Sequence, residues 1–464
     1  MLFNSFAFLI FFCVVFVFYW LNKNQRFRVI FLAVASFIFY AYHRPYDLLI
    51  LFYSILLNYY CAIKIESSQN KKYRKIFLWI NILGNVGLLA FYKYVNFFLN
   101  TTHRFFAHSP RQAEANIFKI ALPLGISFFT FQGMAYVIDV YRKEVKPEKN
   151  LINFSFFKGF FAQLIAGPIV RARAFLPQLK TEKKLTSARF QSGFYLIAWG
   201  LVKKIVIADN LAPIVSAYFS NPVDNFLTTW IAIYAFAFQI YCDFSGYCDI
   251  GIGCAKTLDY DIPVNFRQPY LSENVTVFWR NWNLTLSNWF RDYLFIPLGG
   301  SHDIALRYYF NLLATMLVAG LWHGANYTFV IWGFYHGVLL VLHKISLKFI
   351  KIRIPRVIAV LFTFHLVCLG WIFFRASSVH TSLKILKYAF HIGTANIRLI
   401  ASSGITILFF ILPILAMQIC ERKFSIKDNF VNFPRLVKFV SVAAAILLLV
   451  LFGTPGNQFI YFDF

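Results

Sequence analysis

Two histidines, His323 and His336, lie in strongly apolar stretches away from the basic clusters of the chain. An ionisable side chain at membrane depth is costly to keep there and marks function by default. A dry pocket favours the neutral imidazole, the form that can take a proton from a hydroxyl. The alternative for either ring is a neutral histidine that donates one hydrogen bond between helices. Gly320, Gly324 and Ala325 leave room for a substrate beside His323. The rings are 13 residues apart, which at about 100° per residue puts them on opposite sides of one continuous helix. They share a site only if the chain breaks near Gly324.

Asp243 and Asp249, in the run Tyr241 to Asp249, also sit at or near membrane depth. Their spacing of six places them on different helix faces, so they do not form a paired-carboxylate site. Either they pair with nearby Arg or Lys, or they shape a polar passage. Arg291-Asp292, close to Pro297, looks like an interfacial clamp. No Gly-x-Ser-x-Gly elbow, phosphate-cradling loop or HExxH motif accompanies these residues. The seven cysteines include no CxxC pair, which argues against a zinc site or a disulfide framework; no metal site is expected.

These residues need elements to hold them. The chain has 464 residues, 59% hydrophobic and only 14% charged, where a soluble domain carries roughly 25% charge. That composition excludes a set of water-soluble domains and implies an all-α polytopic membrane protein. Apolar runs at 3–21, 27–43, 46–63, 76–98, 117–140, 190–218, 227–252, 305–321, 325–343, 357–374, 403–420 and 437–452 give about twelve candidate spans. The net charge of +26 falls in short clusters between those runs. Such clusters fit positive-inside placement and contact with membrane lipids, not a nucleic-acid surface. The clusters after the first and third runs mark the cytoplasmic side, which places both the N-terminus and the C-terminus outside. The first run lacks a cleavage site and reads as an uncleaved span.

Two stretches are irregular. The segment 154–179, with Gly167-Pro168 in its middle, reads as a re-entrant helix pair whose freed backbone must be buried in protein or line a wet cavity. Within Phe278 to Phe295, Trp279, Trp282, Leu286, Trp289 and Phe290 recur at helical spacing, which predicts one amphipathic interfacial helix ending at Pro297-Leu298-Gly299-Gly300. The whole chain, 1-464, is read as one membrane domain. Its parts are N-terminal helices in 1-115, a core in 116-375, and C-terminal helices with an outside-facing tail in 376-464.

The run Gly320-Leu321-Trp322-His323-Gly324-Ala325-Asn326-Tyr327 resembles the signature of the membrane-bound O-acyltransferase (MBOAT) family, in its bacterial cell-envelope branch. Leu122-Pro123-Leu124-Gly125, Ala166-Gly167-Pro168, Asp243-Phe244-Ser245-Gly246-Tyr247 and Trp289-Phe290-Arg291-Asp292-Tyr293 match in family order. The resemblance implies a ring of about 11–12 transmembrane helices, with re-entrant and interfacial helices, around a central tunnel. It implies that His323 is the active-site histidine, with His336 a second catalytic candidate. Asn283, Trp322, Asp243, Arg291 and Asp292 are then candidates to line the substrate tunnel. Trp282-Asn283 stands where many members carry Trp-His. The last six residues, Phe459 to Phe464, resemble the C-terminal motif of these envelope systems and make Tyr461 a candidate acyl carrier, the alternative being an aromatic belt anchor.

Through that resemblance the expected function is transfer of an acetyl group from acetyl-CoA, as co-substrate and without a bound cofactor, across the bacterial inner membrane for O-acetylation of an envelope polysaccharide. Peptidoglycan is favoured, with a periplasmic SGNH-type O-acetyltransferase as partner and both termini periplasmic. Alginate or another exopolysaccharide, D-alanyl transfer to teichoic acid, and a transporter or flippase are the alternatives. The repeated halves of a transporter are not found in the sequence.

Overall fold

The computed structural model describes residues 1–106, 122–301, 305–349, 354–393, 397–453 and 460. Apart from a few residues at their ends, the apolar runs named above fall on helix where they are described, and among the described residues there is no β-strand. The chain is an all-α polytopic membrane protein. Among the described residues seven helices are long and apolar enough to cross a bilayer: Asp47–Ser67, Lys71–Leu99, Phe226–Thr257, Tyr327–Phe349, Arg356–Arg375, Gly404–Phe424 and Arg435–Phe452. The other runs form helices that are shorter, interrupted or more polar, among them Phe6–Leu21, Gln25–Ala41, Ile126–Tyr141 and Ala305–His323.

The chain divides into two compact units. The first comprises Met1–Arg189 and Cys254–Pro263. Its helices begin where side chains satisfy the first N–H groups: Ser5 caps Phe6–Leu21, Asn24 caps Gln25–Ala41 and Asn150 caps Leu151–Gly159. The expected re-entrant pair is four short helical pieces, Leu151–Gly159, Phe161–Leu164, Ala172–Phe175 and the 3-10 turn Leu176–Lys180. Phe156, Phe160, Phe175 and Tyr260 stack with centroids 4.9–5.8 Å apart and bury those breaks in protein. This is what backbone at membrane depth requires.

The second unit comprises Phe190–Gly253 and Val264–Phe464. Two of its helices touch at glycine: a Cβ on Gly200 would lie 2.8 Å from Gly246 O, and one on Gly246 would lie 2.7 Å from Gly200 O. Small residues are the usual means of close helix approach in membranes, where apolar burial gives no preference for protein over lipid. The contact brings the adjacent Lys203 and Lys204, carried on a π-helical turn Val202–Ala208, against Asp243 and Asp249.

Candidate active site

His323 is the last residue of the Ala305–His323 helix, and Tyr327 opens the next, Tyr327–Phe349. The break near Gly324 that the two histidines require is present. Asn326 holds it: its carbonyl accepts from Phe329 N–H and its Oδ1 from Thr328 N–H, both at 3.1 Å. A Cβ on Gly320 would overlap the Phe329 carbonyl oxygen, one on Gly333 the Met316 carbonyl oxygen, and one on Gly324 the Phe329 ring. The small residues around His323 therefore serve the close packing of the two helices and their turn. The room for substrate lies elsewhere.

That room is a cavity of about 540 Å³ in the second unit, within the usual range for ligand pockets. Tyr308, Leu312, Thr315, Met316, Ala319 and His323 line it from one helix, at three-to-four spacing. From Tyr308 to His323, at 1.5 Å per residue, this wall is about 22 Å long. Trp332, Leu340 and Lys344 form a second wall on the following helix. The His323 ring stands edge-on to Trp322, Trp332 and Phe374, with centroids 4.9, 5.0 and 5.1 Å away. His336 is also in edge contact with Trp332, at 5.0 Å, but it is fully buried and does not line the cavity. The Trp332 indole thus packs against both imidazoles. Neither ring nitrogen of His336 has a hydrogen-bond partner among the described residues, so the interhelical hydrogen bond expected of a structural histidine is not made there.

The third wall is the stretch read as one amphipathic helix. It is two short helices, Val275–Trp279 and Leu284–Phe290, followed by a π-helical turn Arg291–Phe295. The chain breaks at Asn283, whose backbone is left-handed, φ 43° and ψ 57°. Asn283 stands at the cap position of the second helix, yet Asn265 does the capping. Asn265 O accepts from Leu284 N–H at 2.9 Å, and its Oδ1 accepts from Thr285 N–H at 3.1 Å and the Thr285 hydroxyl at 2.8 Å. The Asn283 amide is released from the backbone. It is buried, lines the same cavity as His323, and has no hydrogen-bond partner among the described residues at either Oδ1 or Nδ2. An amide left unpaired in a dry site costs roughly 1–3 kcal/mol, so its partner is whatever fills the cavity, solvent or substrate. The stop at Gly299-Gly300 is formed as expected, with both residues at positive φ.

Three cations, Arg280, Arg291 and Lys344, also line the cavity. The Arg291 guanidinium is paired with Asp292, Nε to Oδ1 2.8 Å, which makes the expected clamp. Arg280 and Lys344 were not foreseen; their signal was a cation inside an aromatic repeat and another just past the end of an apolar run. Trp322 packs on His323 but is not on the wall.

Asp243 and Asp249 are not on the wall either. Asp243 pairs with Lys204 at 2.6 Å, and Lys204 also holds Asp209 at 2.7 Å. Asp249 pairs with Lys203 and, at 2.7 Å, with Lys427. Pairing with lysine is the reading that holds for both; Lys203 and Lys204 lie inside the apolar run 190–218, and Lys427 lies in the basic stretch 421–438. The second Asp243 oxygen, Oδ2, accepts from the backbone N–H of Ile460 at 2.8 Å. Tyr461 lies outside the described residues.

The chain's matches to known proteins fit this arrangement. Residues 143–383 match the MBOAT, membrane-bound O-acyltransferase family, model, which takes in every residue of the cavity wall. The chain is 35% identical over 395 residues to the peptidoglycan O-acetyltransferase of Helicobacter pylori, covering 79% of this chain and 74% of the relative. It is likewise 35% identical over 410 residues to the probable alginate O-acetylase AlgI of Pseudomonas aeruginosa, covering 88% and 78%. To the teichoic acid D-alanyltransferase of Bacillus subtilis it is 27% identical over 308 residues, covering 61% and 75%. The histidine at the helix break, the apolar spans and these matches converge on one assignment: the chain belongs to the membrane-bound O-acyltransferase family and is a membrane-bound acyltransferase.

Proposed function

We propose that this acyltransferase takes an acetyl group from acetyl-CoA and delivers it for O-acetylation of an envelope polysaccharide, peptidoglycan ahead of alginate, with a periplasmic partner enzyme completing the transfer. The observation that carries the reading is that His323 and the partnerless amide of Asn283 lie on the wall of one elongated cavity that also holds three cations. The cations suit the phosphates of a nucleotide thioester. The length of the walls suits an extended arm that reaches from those phosphates to His323. The relatives named for peptidoglycan and alginate O-acetylation, each 35% identical, support the acetyl group and the envelope acceptor. The bacterial inner membrane, with both termini periplasmic, follows from the charge pattern and from the separation of a cytosolic donor from an external polymer.

In this reading His323 takes the proton of an acceptor hydroxyl as that oxygen bonds to the thioester carbonyl carbon. The Asn283 amide donates to the carbonyl oxygen as it becomes anionic. The carbon–sulfur bond then breaks, and the departing thiolate receives the proton from the imidazolium. The acceptor hydroxyl is that of Tyr461, whose phenyl ester is reactive because a phenol near pKa 10 is a good leaving group. The hydrogen bond from Ile460 N–H to Asp243 anchors the residue next to that tyrosine in sequence.

Radiolabelled acetyl-CoA supplied to membranes tests the reading. Wild type labels protein and polymer, His323→Ala labels neither, and Tyr461→Phe loses the protein label. Full polymer acetylation by His323→Ala removes the base assignment. Label that enters neither protein nor polymer favours a transporter, and label on muropeptides decides between peptidoglycan and an exopolysaccharide.

A further inference from the structure

We propose that a groove on the second unit, between residues 190–194 and the first turns of the Arg435–Phe452 helix, is a binding site for one anionic phospholipid. The groove has a volume of about 380 Å³. Its apolar wall is Phe190, Phe194, Phe439 and Val442, and its polar end is Arg435 and Lys438. The helix that carries the last four of these residues is nearly all turned outward: only 6% of its apolar window is buried in protein. In a bilayer, lipid covers it, and the question is which lipid the groove selects.

The charge answers that question. Lys438 is fixed in place, its Nζ donating to Gln191 Oε1 at 2.9 Å and to Val431 O at 3.1 Å. Arg435 has no acidic partner among the described residues, and its guanidinium can meet a phosphate through two parallel hydrogen bonds. The helix begins at Arg435 with no side-chain cap, so its first N–H groups add a partial positive charge at the same end. Phe439 is 71% exposed and Phe190 and Phe194 about 40% exposed, stacked on each other at 6.2 Å, which gives an acyl chain a flat aromatic flank. Arg435 and Lys438 belong to the basic stretch 421–438 that the charge pattern places at the cytoplasmic face, where lipid phosphates lie. Cations at one end and an outward apolar flank leading from it match a phosphodiester headgroup with its acyl chain.

The test is native mass spectrometry of the full chain, released from nanodiscs of equal phosphatidylglycerol and phosphatidylethanolamine. Wild type should retain one phosphatidylglycerol in clear excess over phosphatidylethanolamine. Arg435→Gln, at an exposed position where folding is not at stake, should lower that retention about fivefold, and Val442→Trp, which fills the groove, should abolish it. Lys72→Ala, a basic residue of the first unit, should leave it unchanged. Equal retention of the two lipids by wild type would overturn the proposal, as would unchanged retention in Arg435→Gln. Displacement of the bound species by millimolar inorganic phosphate would show a free-anion site instead, and a dimer that Arg435→Gln dissolves would show a second copy of the chain.

Discussion

Asn283→Gly separates what the Asn283 backbone does from what its amide does. The backbone is left-handed, φ 43° and ψ 57°, a conformation that costs most L-residues roughly 1–2 kcal/mol, asparagine less and glycine almost nothing. The following helix is capped by Asn265, so no cap is lost with the side chain. The amide lines the cavity and makes no hydrogen bond to a described residue, so its removal breaks none of those bonds. Both effects point the same way: Asn283→Gly leaves thermal stability in detergent unchanged or raises it. If the amide meets the anionic carbonyl oxygen of the transition state, the same substitution removes an oxyanion donor, worth about 10²–10³ in kcat. The assay is acetyl transfer by purified protein, with kcat and KM read separately beside a thermal melt. Expected are a kcat lowered at least a hundredfold, a KM for acetyl-CoA within a factor of about three, and an undiminished melt. Retention of a third or more of wild-type kcat would refute the argument. Activity lost in Asn283→Ala but kept in Asn283→Gly would assign the effect to the backbone.

Three further outcomes follow from the same geometry. Gly320→Ala puts a methyl group into the Phe329 carbonyl and should destabilise the protein by about 1–3 kcal/mol, read as a lower melting temperature, with His323 displaced and activity reduced as well. Asp249→Ala strands Lys203 and Lys427, and the loss should be about 3–5 kcal/mol, visible as poor recovery of folded protein from membranes; Lys427→Met, which leaves Asp249 paired to Lys203, should cost less. Lys344→Ala and Arg280→Ala should raise KM for acetyl-CoA with little change in kcat, and the KM of wild type should rise with ionic strength more steeply than theirs.

The spans were legible because hydrophobic length is a property of each segment alone, and the family because its motifs lie in order along the chain. The break that puts His323 at a helix end was also legible, in the gap between the apolar runs 305–321 and 325–343. What sequence periodicity could not reach was pairing. The aromatic repeat in Phe278 to Phe295 is helical in spacing, but whether it is one helix or two depends on Asn265, a residue 18 positions before the break. Gly320 and Gly324 were read as room for substrate because a glycine in the sequence does not say what approaches it; Phe329 does so in the fold. Lys203 and Lys204 lie within a span, and the partners that tie them to the neighbouring helix, Asp249 and Asp243, lie some forty residues away in the chain.

The two candidate reactive side chains of the cavity, His323 and Asn283, share a device. Each sits at a break between helices, and in each case a different residue caps the helix that follows. Asn265 caps the helix that Asn283 precedes, and Asn326 receives the first N–H groups after the turn that His323 closes. A polar side chain at membrane depth ordinarily satisfies its own backbone, because no water is present to do so. Transferring that duty to a neighbour leaves the Asn283 amide on the cavity wall with no hydrogen bond to a described residue. The same logic sorts the two histidines. Both pack on the Trp332 indole, but only the ring at the helix end reaches the cavity, while His336, in mid-helix, is sealed behind aromatic rings. Of the two histidines, the one at a helix end is the one on the cavity wall.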